Sequence, residues 1–120
     1  MKLMTMNVHS LVEEDYERKL VEFADAAAGE KPDILALQEV SQPAAEEVWT
    51  DEELEGFVRC RDVSMPVRRG NYAARLAGLL KERGFACSWT WLGAKIGYGR
   101  YDEGLAIFSR TPIAETDQFF

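Results

Sequence analysis

The sequence predicts an α/β domain with a mixed β-sheet, and three observations carry that reading. Apolar runs of strand length alternate with segments of helical period, in the order strand–helix–strand–helix–strand–strand. The first two strand segments are apolar on both faces, as strands inside a layered fold are. The last two differ: Phe85–Leu92 sets Phe85, Cys87, Trp89 and Trp91 against Ala86, Ser88, Thr90 and Leu92, and GLAIFS follows closely. That alternation suits a half-buried antiparallel pair.

The first strand is Lys2–Val8 (KLMTMNV). Ser10 is then placed as the N-cap of a helix from about Val12 to Ala28. Its Tyr16, Leu20, Phe23, Ala24 and Ala27 recur at the spacing of one helical face. Gly29 suits the position after the helix, and Pro32 blocks continuation. The second strand is Ile34–Val40, with Leu35, Leu37 and Glu39 on one face and Ile34, Ala36 and Gln38 on the other. A short acidic helix (AAEEVW) is expected after Pro43, then a short piece near Asp51–Gly56 and an irregular basic loop, Arg59–Arg69. Asn71 caps a helix over Tyr72–Arg83, whose inner face is Tyr72, Leu76, Leu79 and Leu80 and whose stop is Gly84. Lys95–Glu103 reads as a loop, Gly104–Ser109 as the next strand, and Pro112–Phe120 as the start of another. Such a sheet is expected to leave Phe85, Trp89, Trp91 and Phe119–Phe120 uncovered and to favour self-association through its open edge.

At 120 residues the chain holds one domain at most, and its 47% apolar and 29% charged content excludes general disorder. No apolar run approaches the ~20 residues of a membrane span. The start, MKLMTMNV, lacks the pattern of a secretory signal, so a cytoplasmic location is expected. Cys60 and Cys87 form neither a metal spacing nor a disulfide framework, and Cys87 reads as a reduced core thiol. The net charge of −7 is uneven: residues 1–58 hold 15 acidic and 4 basic residues, whereas residues 59–100 hold 9 basic and 2 acidic. An acidic whole argues against tight non-specific nucleic-acid binding. The basic middle fits either a solvated face or the steering of an anionic substrate.

Two strands end in polar residues that a buried strand has little reason to carry: Asn7 on the first and Glu39 on the second. An ionised carboxylate on an apolar strand calls for a cation or a hydrogen-bonded partner, and strand ends of α/β sheets face ligand crevices. The alternatives are a solvated strand-end acid and an amide that satisfies its own turn. His9 shares the face of Asn7 if the strand continues. In KIGYGRYDE, Lys95, Tyr98, Arg100 and Tyr101 stand among glycines that let a loop approach a phosphate closely, although the segment equally reads as an ordinary connection. Its glycines match no nucleotide-binding fingerprint.

Three segments together, TMNVHS, ALQEV and GYGRYDEGLAIFSRTPI, resemble the endonuclease/exonuclease/phosphatase superfamily of metal-dependent phosphoesterases. The resemblance spans nearly the whole chain. It implies that residues 1–120 form the N-terminal half of a four-layer α/β/β/α sandwich. It further implies that Asn7 aligns the phosphate and that Glu39 is the principal ligand of Mg²⁺ (or Mn²⁺). His9, Lys95, Tyr98 and Tyr101 would be substrate contacts. The substrate class it implies is a phosphate ester, nucleic acid among the candidates. This chain departs from the pattern in having no Asp-x-Asn sequence and no His besides His9. The expectation is therefore a hydrolase when complete and an inactive chain in isolation. A truncated or partner-dependent fragment and a small α/β binding module are the alternative readings.

Overall fold

Leu3–Asn7 forms β1, Tyr16–Glu30 α1, Ile34–Pro43 β2, Tyr72–Glu82 α2, Ser88–Gly97 β3 and Tyr101–Ser109 β4. Short 3-10 turns occupy Ser10–Val12 and Asp51–Glu53. The structure is a computed structural model that describes the chain apart from residues 61–64, 98 and 118–120 and the side chains of residues 95–97.

The four strands make one sheet in the order β1-β2-β4-β3. β1 and β2 are parallel, as a strand–helix–strand crossover requires, and the other neighbours are antiparallel. The predicted mixed sheet is thus present, and so is the antiparallel pairing of the Trp strand with the strand that follows it.

The helical faces fall where their period places them. Leu20, Phe23, Ala24 and Ala27 of α1 are buried, as are Tyr72, Leu76 and Leu80 of α2. The start of α1 differs from expectation. The chain first makes the 3-10 turn, and α1 begins only at Tyr16, after a left-handed Asp15 that gives no side-chain cap. Ser10 is no N-cap, because its hydroxyl is buried and bonded to β2. At the other end the helix runs past Gly29, and Lys31 takes the left-handed closing position, its N–H donating to the Ala27 carbonyl. Asn71 does cap α2, its Oδ1 accepting from the Ala74 N–H at 3.1 Å.

No helix forms in AAEEVW. β2 instead runs on to Pro43, a strand-end position where a missing N–H costs little. The following segment bonds to the stretch before α2: the Trp49 N–H donates to the Val67 carbonyl and the Arg69 N–H to the Glu47 carbonyl, both at 2.8 Å. The guanidinium of Arg69 lies 4.0 Å from the centre of the Trp49 indole, which fixes this return. Lys95–Glu103 is likewise no loop: β3 reaches Gly97, β4 starts at Tyr101, and a tight turn at positive-φ Gly99 joins them. Residues 112–117 form no strand.

Both helices pack on one face of the sheet. That face carries Leu35, Leu37, Trp89, Trp91, Ala106 and Phe108, so the tryptophans are covered, each only 1% exposed, and Phe85 is buried with them. The indole N–H groups are also satisfied, donating at 3.0 Å to the carbonyls of Glu55 (Trp89) and Val40 (Trp91). The expected bare aromatic face is therefore the core. The apolar side chains left open lie on the opposite face: Leu3 is 64% exposed, Leu105 43% and Ile107 45%. Phe119 and Phe120 lie outside the described residues.

One glycine sets the sheet's shape. Leu37 pairs with Ala106 but Val40 with Gly104, so β2 carries one residue more than β4 across this step. On the other side Gly93 pairs with Gly104 but Lys95 with Glu103, so β3 carries an extra residue too. Two bulges thus flank Gly104, and a Cβ there would lie 2.1 Å from the Leu92 carbonyl oxygen.

Candidate functional site

β1 and β2 run parallel with Asn7 opposite Gln38, so their C-terminal ends reach the same rim. Glu39 stands at the bulge. Before it the inward residues are Leu35 and Leu37; after it they are Val40 and Gln42. The extra residue switches the alternation from odd to even, and Glu39 takes a left-handed backbone at φ 55. The acid consequently does not continue the Leu35/Leu37 face that simple parity gave it. It sits half-exposed at the rim.

There the side chains meet. Asn7 Nδ2 donates to Glu39 Oε2, and Asn7 Oδ1 accepts from the His9 N–H at 3.1 Å. His9 is itself left-handed, at φ 55, and its Nδ1 lies 3.8 Å from Glu39 Oε2. The amide therefore bridges the carboxylate and the turn after β1. Among the described residues no hydrogen bond reaches Glu39 Oε1, and no group of three His, Cys, Asp or Glu side chains could hold a metal. One partly exposed carboxylate with a spare oxygen fits a hard divalent cation that keeps most of its water, and does not fit a structural zinc cage.

The other sequence-predicted residues are elsewhere or outside the description. Tyr101 pairs with Pro43, four residues beyond Glu39 along β2, which at ~3.3 Å per residue is about 13 Å away. Tyr98 lies outside the described residues, as does the side chain of Lys95, whose backbone belongs to β3. The structure thus unites Asn7, His9 and Glu39 and keeps Tyr101 apart.

A groove of about 320 Å³ opens beside this rim, between β1 and α1, lined by Asn7, His9, Glu13, Tyr16, Lys19 and Tyr72 among others. A 2.5 Å hydrogen bond from Lys19 holds the Glu13 carboxyl below its usual range. Burial pushes the Tyr16 and Tyr72 phenols up, so both stay protonated donors. A larger cleft of about 580 Å³ lies beneath α2 and includes no residue of the rim.

The basic middle of the chain is spent on ion pairs. Arg59 binds Asp51, Arg69 binds Glu47 and Glu53, Arg75 binds Glu17, Lys81 binds Glu55, and Arg83 binds Asp25. Of the two readings of that charge, the paired, solvated face describes these residues.

Sequence reasoning passed over two polar clusters. Gln42 is wholly buried and fully satisfied: Nε2 donates to Asp102 Oδ2 (2.9 Å) and to the Pro66 carbonyl (3.0 Å), while Oε1 accepts from the Arg68 N–H (2.8 Å) and Asn71 Nδ2 (2.9 Å). Ser10 and Ser41, both buried, meet directly behind Glu39. The available signal was the polar pair Ser41–Gln42 directly after an apolar strand.

The Endonuclease/Exonuclease/phosphatase family profile matches residues 4–119. The chain is 30% identical to an endonuclease/exonuclease/phosphatase family protein from Leptotrichia buccalis C-1013-b, with a TM-score of 0.78 over 95% of this chain and 38% of that one. An endonuclease/exonuclease/phosphatase from Beutenbergia cavernae DSM 12333 shares the fold at 21% identity and a TM-score of 0.55, over 93% of this chain and 26% of that one. No curated protein matches the sequence. Proteins of this family generally use divalent metal ions.

Proposed function

The chain belongs to the endonuclease/exonuclease/phosphatase family, and from that premise we propose that it supplies the Asn7–Glu39 rim of a Mg²⁺- or Mn²⁺-dependent hydrolase of phosphate esters. The observation that carries the reading is the hydrogen bond from Asn7 Nδ2 to Glu39 Oε2 at the shared end of two parallel strands.

Glu39 would hold the cation through Oε1, the oxygen that Asn7 leaves open. When bound, a divalent ion supplies polarisation of a phosphoryl oxygen and shields the charge that builds up during its displacement. Asn7 orients the carboxylate, which removes the rotational freedom of a long side chain before any ligand arrives. His9 stands close enough to Glu39 to contact a phosphate held there. The base that activates water is assigned to the part of the relatives' length that this chain does not span, since it covers 38% of the Leptotrichia protein.

Calorimetric titration with Mg²⁺ and Mn²⁺ tests the rim. Binding should be lost in Glu39→Gln and weakened in Asn7→Ala; undiminished binding by Glu39→Gln would end the reading. Hydrolysis of bis-p-nitrophenyl phosphate and of plasmid DNA, each with and without metal, then separates small esters from nucleic acid. The pairing of Arg59, Arg69, Arg75 and Arg83 with carboxylates favours the small ester. A second reading, a fragment active only with a complementary partner, is favoured by the open apolar face of Leu3, Leu105 and Ile107. Its mark would be metal binding by the chain without turnover.

A further inference from the structure

Glu39 is aimed by a backbone that its own residue type disfavours. Glu39, His9 and Ser10 all have positive φ, at 55°, 55° and 44°, and none is glycine. Such conformations persist only where the surroundings over-determine them. The surroundings here are two hydroxyls. Ser10 Oγ donates to the Glu39 carbonyl at 3.0 Å and accepts from the Ser41 N–H at 2.7 Å. It also lies 2.6 Å from Ser41 Oγ, which accepts from the Leu11 N–H at 3.2 Å.

The proton positions follow by elimination. A serine hydroxyl has one proton and two lone pairs. The Ser10 proton goes to the Glu39 carbonyl, so Ser41 must donate in the bond between the two hydroxyls. Ser10 is then saturated, with one bond given and two received. The pair locks the turn after β1 onto the backbone that immediately follows the Glu39 side chain, namely the Glu39 carbonyl and the Ser41 amide. It does so at a fully buried position where no water competes. We propose that Ser10 and Ser41 are positioning residues: their hydroxyl pair fixes the left-handed Glu39 backbone and thereby holds its carboxylate against Asn7. The metal consequence of this proposal rests on the function proposed above; the geometric consequence does not.

Two readouts test it on the chain as it stands. The first needs no metal: the side-chain amide resonances of Asn7 in a ¹⁵N–¹H spectrum, with and without Glu39→Gln to assign the contribution of the carboxylate. Ser10→Ala and Ser41→Ala should move these resonances towards their positions in Glu39→Gln. Ser41→Thr, which keeps the hydroxyl on a residue suited to a strand, should restore them. Threonine at position 10 is no substitute, because a β-branched residue resists φ 44. The second readout is Mg²⁺ affinity, expected to fall ten- to a hundredfold in either alanine variant, as for other groups that orient a ligand, and to recover in Ser41→Thr.

Thr90→Val removes a buried hydroxyl beside Cys60, away from the rim, and serves as the stability control. Asn7 resonances unmoved in both alanine variants would overturn the proposal. So would a Thr90→Val variant that weakens Mg²⁺ binding as much as Ser10→Ala does. If Glu39→Gln itself leaves Mg²⁺ binding intact, the proposed function fails, while the Asn7 resonances still decide the positioning role.

Discussion

A side chain at position 104 has nowhere to go. A Cβ there would meet the Leu92 carbonyl at 2.1 Å and Gly93 Cα at 3.0 Å, both backbone and therefore unable to swing away. Gly104→Ala should lower stability by about 3 kcal/mol or more, read as a drop in the urea midpoint. Gly29→Ala is the contrast: nothing lies within 4 Å of its Cβ and it sits in α1, so a gain of about 0.5 kcal/mol is expected. Cys87 gives a prediction in pH. Burial raises its thiol from 9.0 to about 11, with Arg110 offsetting part of the rise. A raised folded value means that the contribution to stability is whole below the unfolded value and is lost as pH climbs through the folded one. Stability should therefore fall between about pH 9 and 11 in the wild type and less in Cys87→Ala, measured by denaturant midpoints. Iodoacetamide should label Cys87 slowly at pH 8. At this scale the sequence showed which residues were out of place, Asn7 and Glu39, because polar groups on apolar strands stand out. It could not show that Glu39 has a positive φ. Nothing in the residue type announces that.

Among the elements, α2 depends on its cap more than α1 does. Asn71 Oδ1 accepts from the Ala74 N–H and Nδ2 donates to Gln42 Oε1, so one amide closes the helix and ties it to β2. Asn71→Ala should cost about 2 kcal/mol, the sum of a lost cap and one of the two hydrogen bonds that Gln42 Oε1 accepts. The checks are helical ellipticity and the urea midpoint. Asp15 makes no side-chain cap, so Asp15→Asn, which keeps a residue tolerant of the left-handed backbone, should cost under about 0.5 kcal/mol by the same measurement. Both helical faces were legible because a period of 3.6 is a property of the segment itself. The switch of faces within β2 was not, since a bulge is a relation between two strands. It appears only when Leu37 and Val40 are counted against Ala106 and Gly104. The missing AAEEVW helix has a similar cause: its helical pattern lost to backbone bonds with Val67 and to the stacking of Arg69 on Trp49.

For the whole molecule, the sheet has helices on one face and exposed Leu3, Leu105 and Ile107 on the other. Leu105 and Ile107 share that face on β4, two residues apart. Replacing both with lysine should reduce dye binding to exposed apolar surface and any self-association seen by size-exclusion chromatography, with far-UV ellipticity unchanged. A double variant that associates as the wild type does would place the contact elsewhere, the open β1 edge being the alternative. The fold class was legible at this scale because strand and helix patterns alternate cleanly. Which face of the sheet lay bare was not, for an aromatic stripe reads alike whether helices cover it or nothing does.

β4 is a ruler against which both its neighbours measure one unit too long. Shortening β2 by a residue at 38–39 would bring it back into step, with Leu35, Leu37, Val40 and Gln42 then alternating strictly along one face. Gln42 would stay in the interior with its four partners, while the left-handed position that aims the acid along the rim would be gone. The extra residue thus serves the rim and not the interior, since the buried amide keeps its face with or without it. A single-codon deletion there would part the acid from Asn7 and leave the core in register.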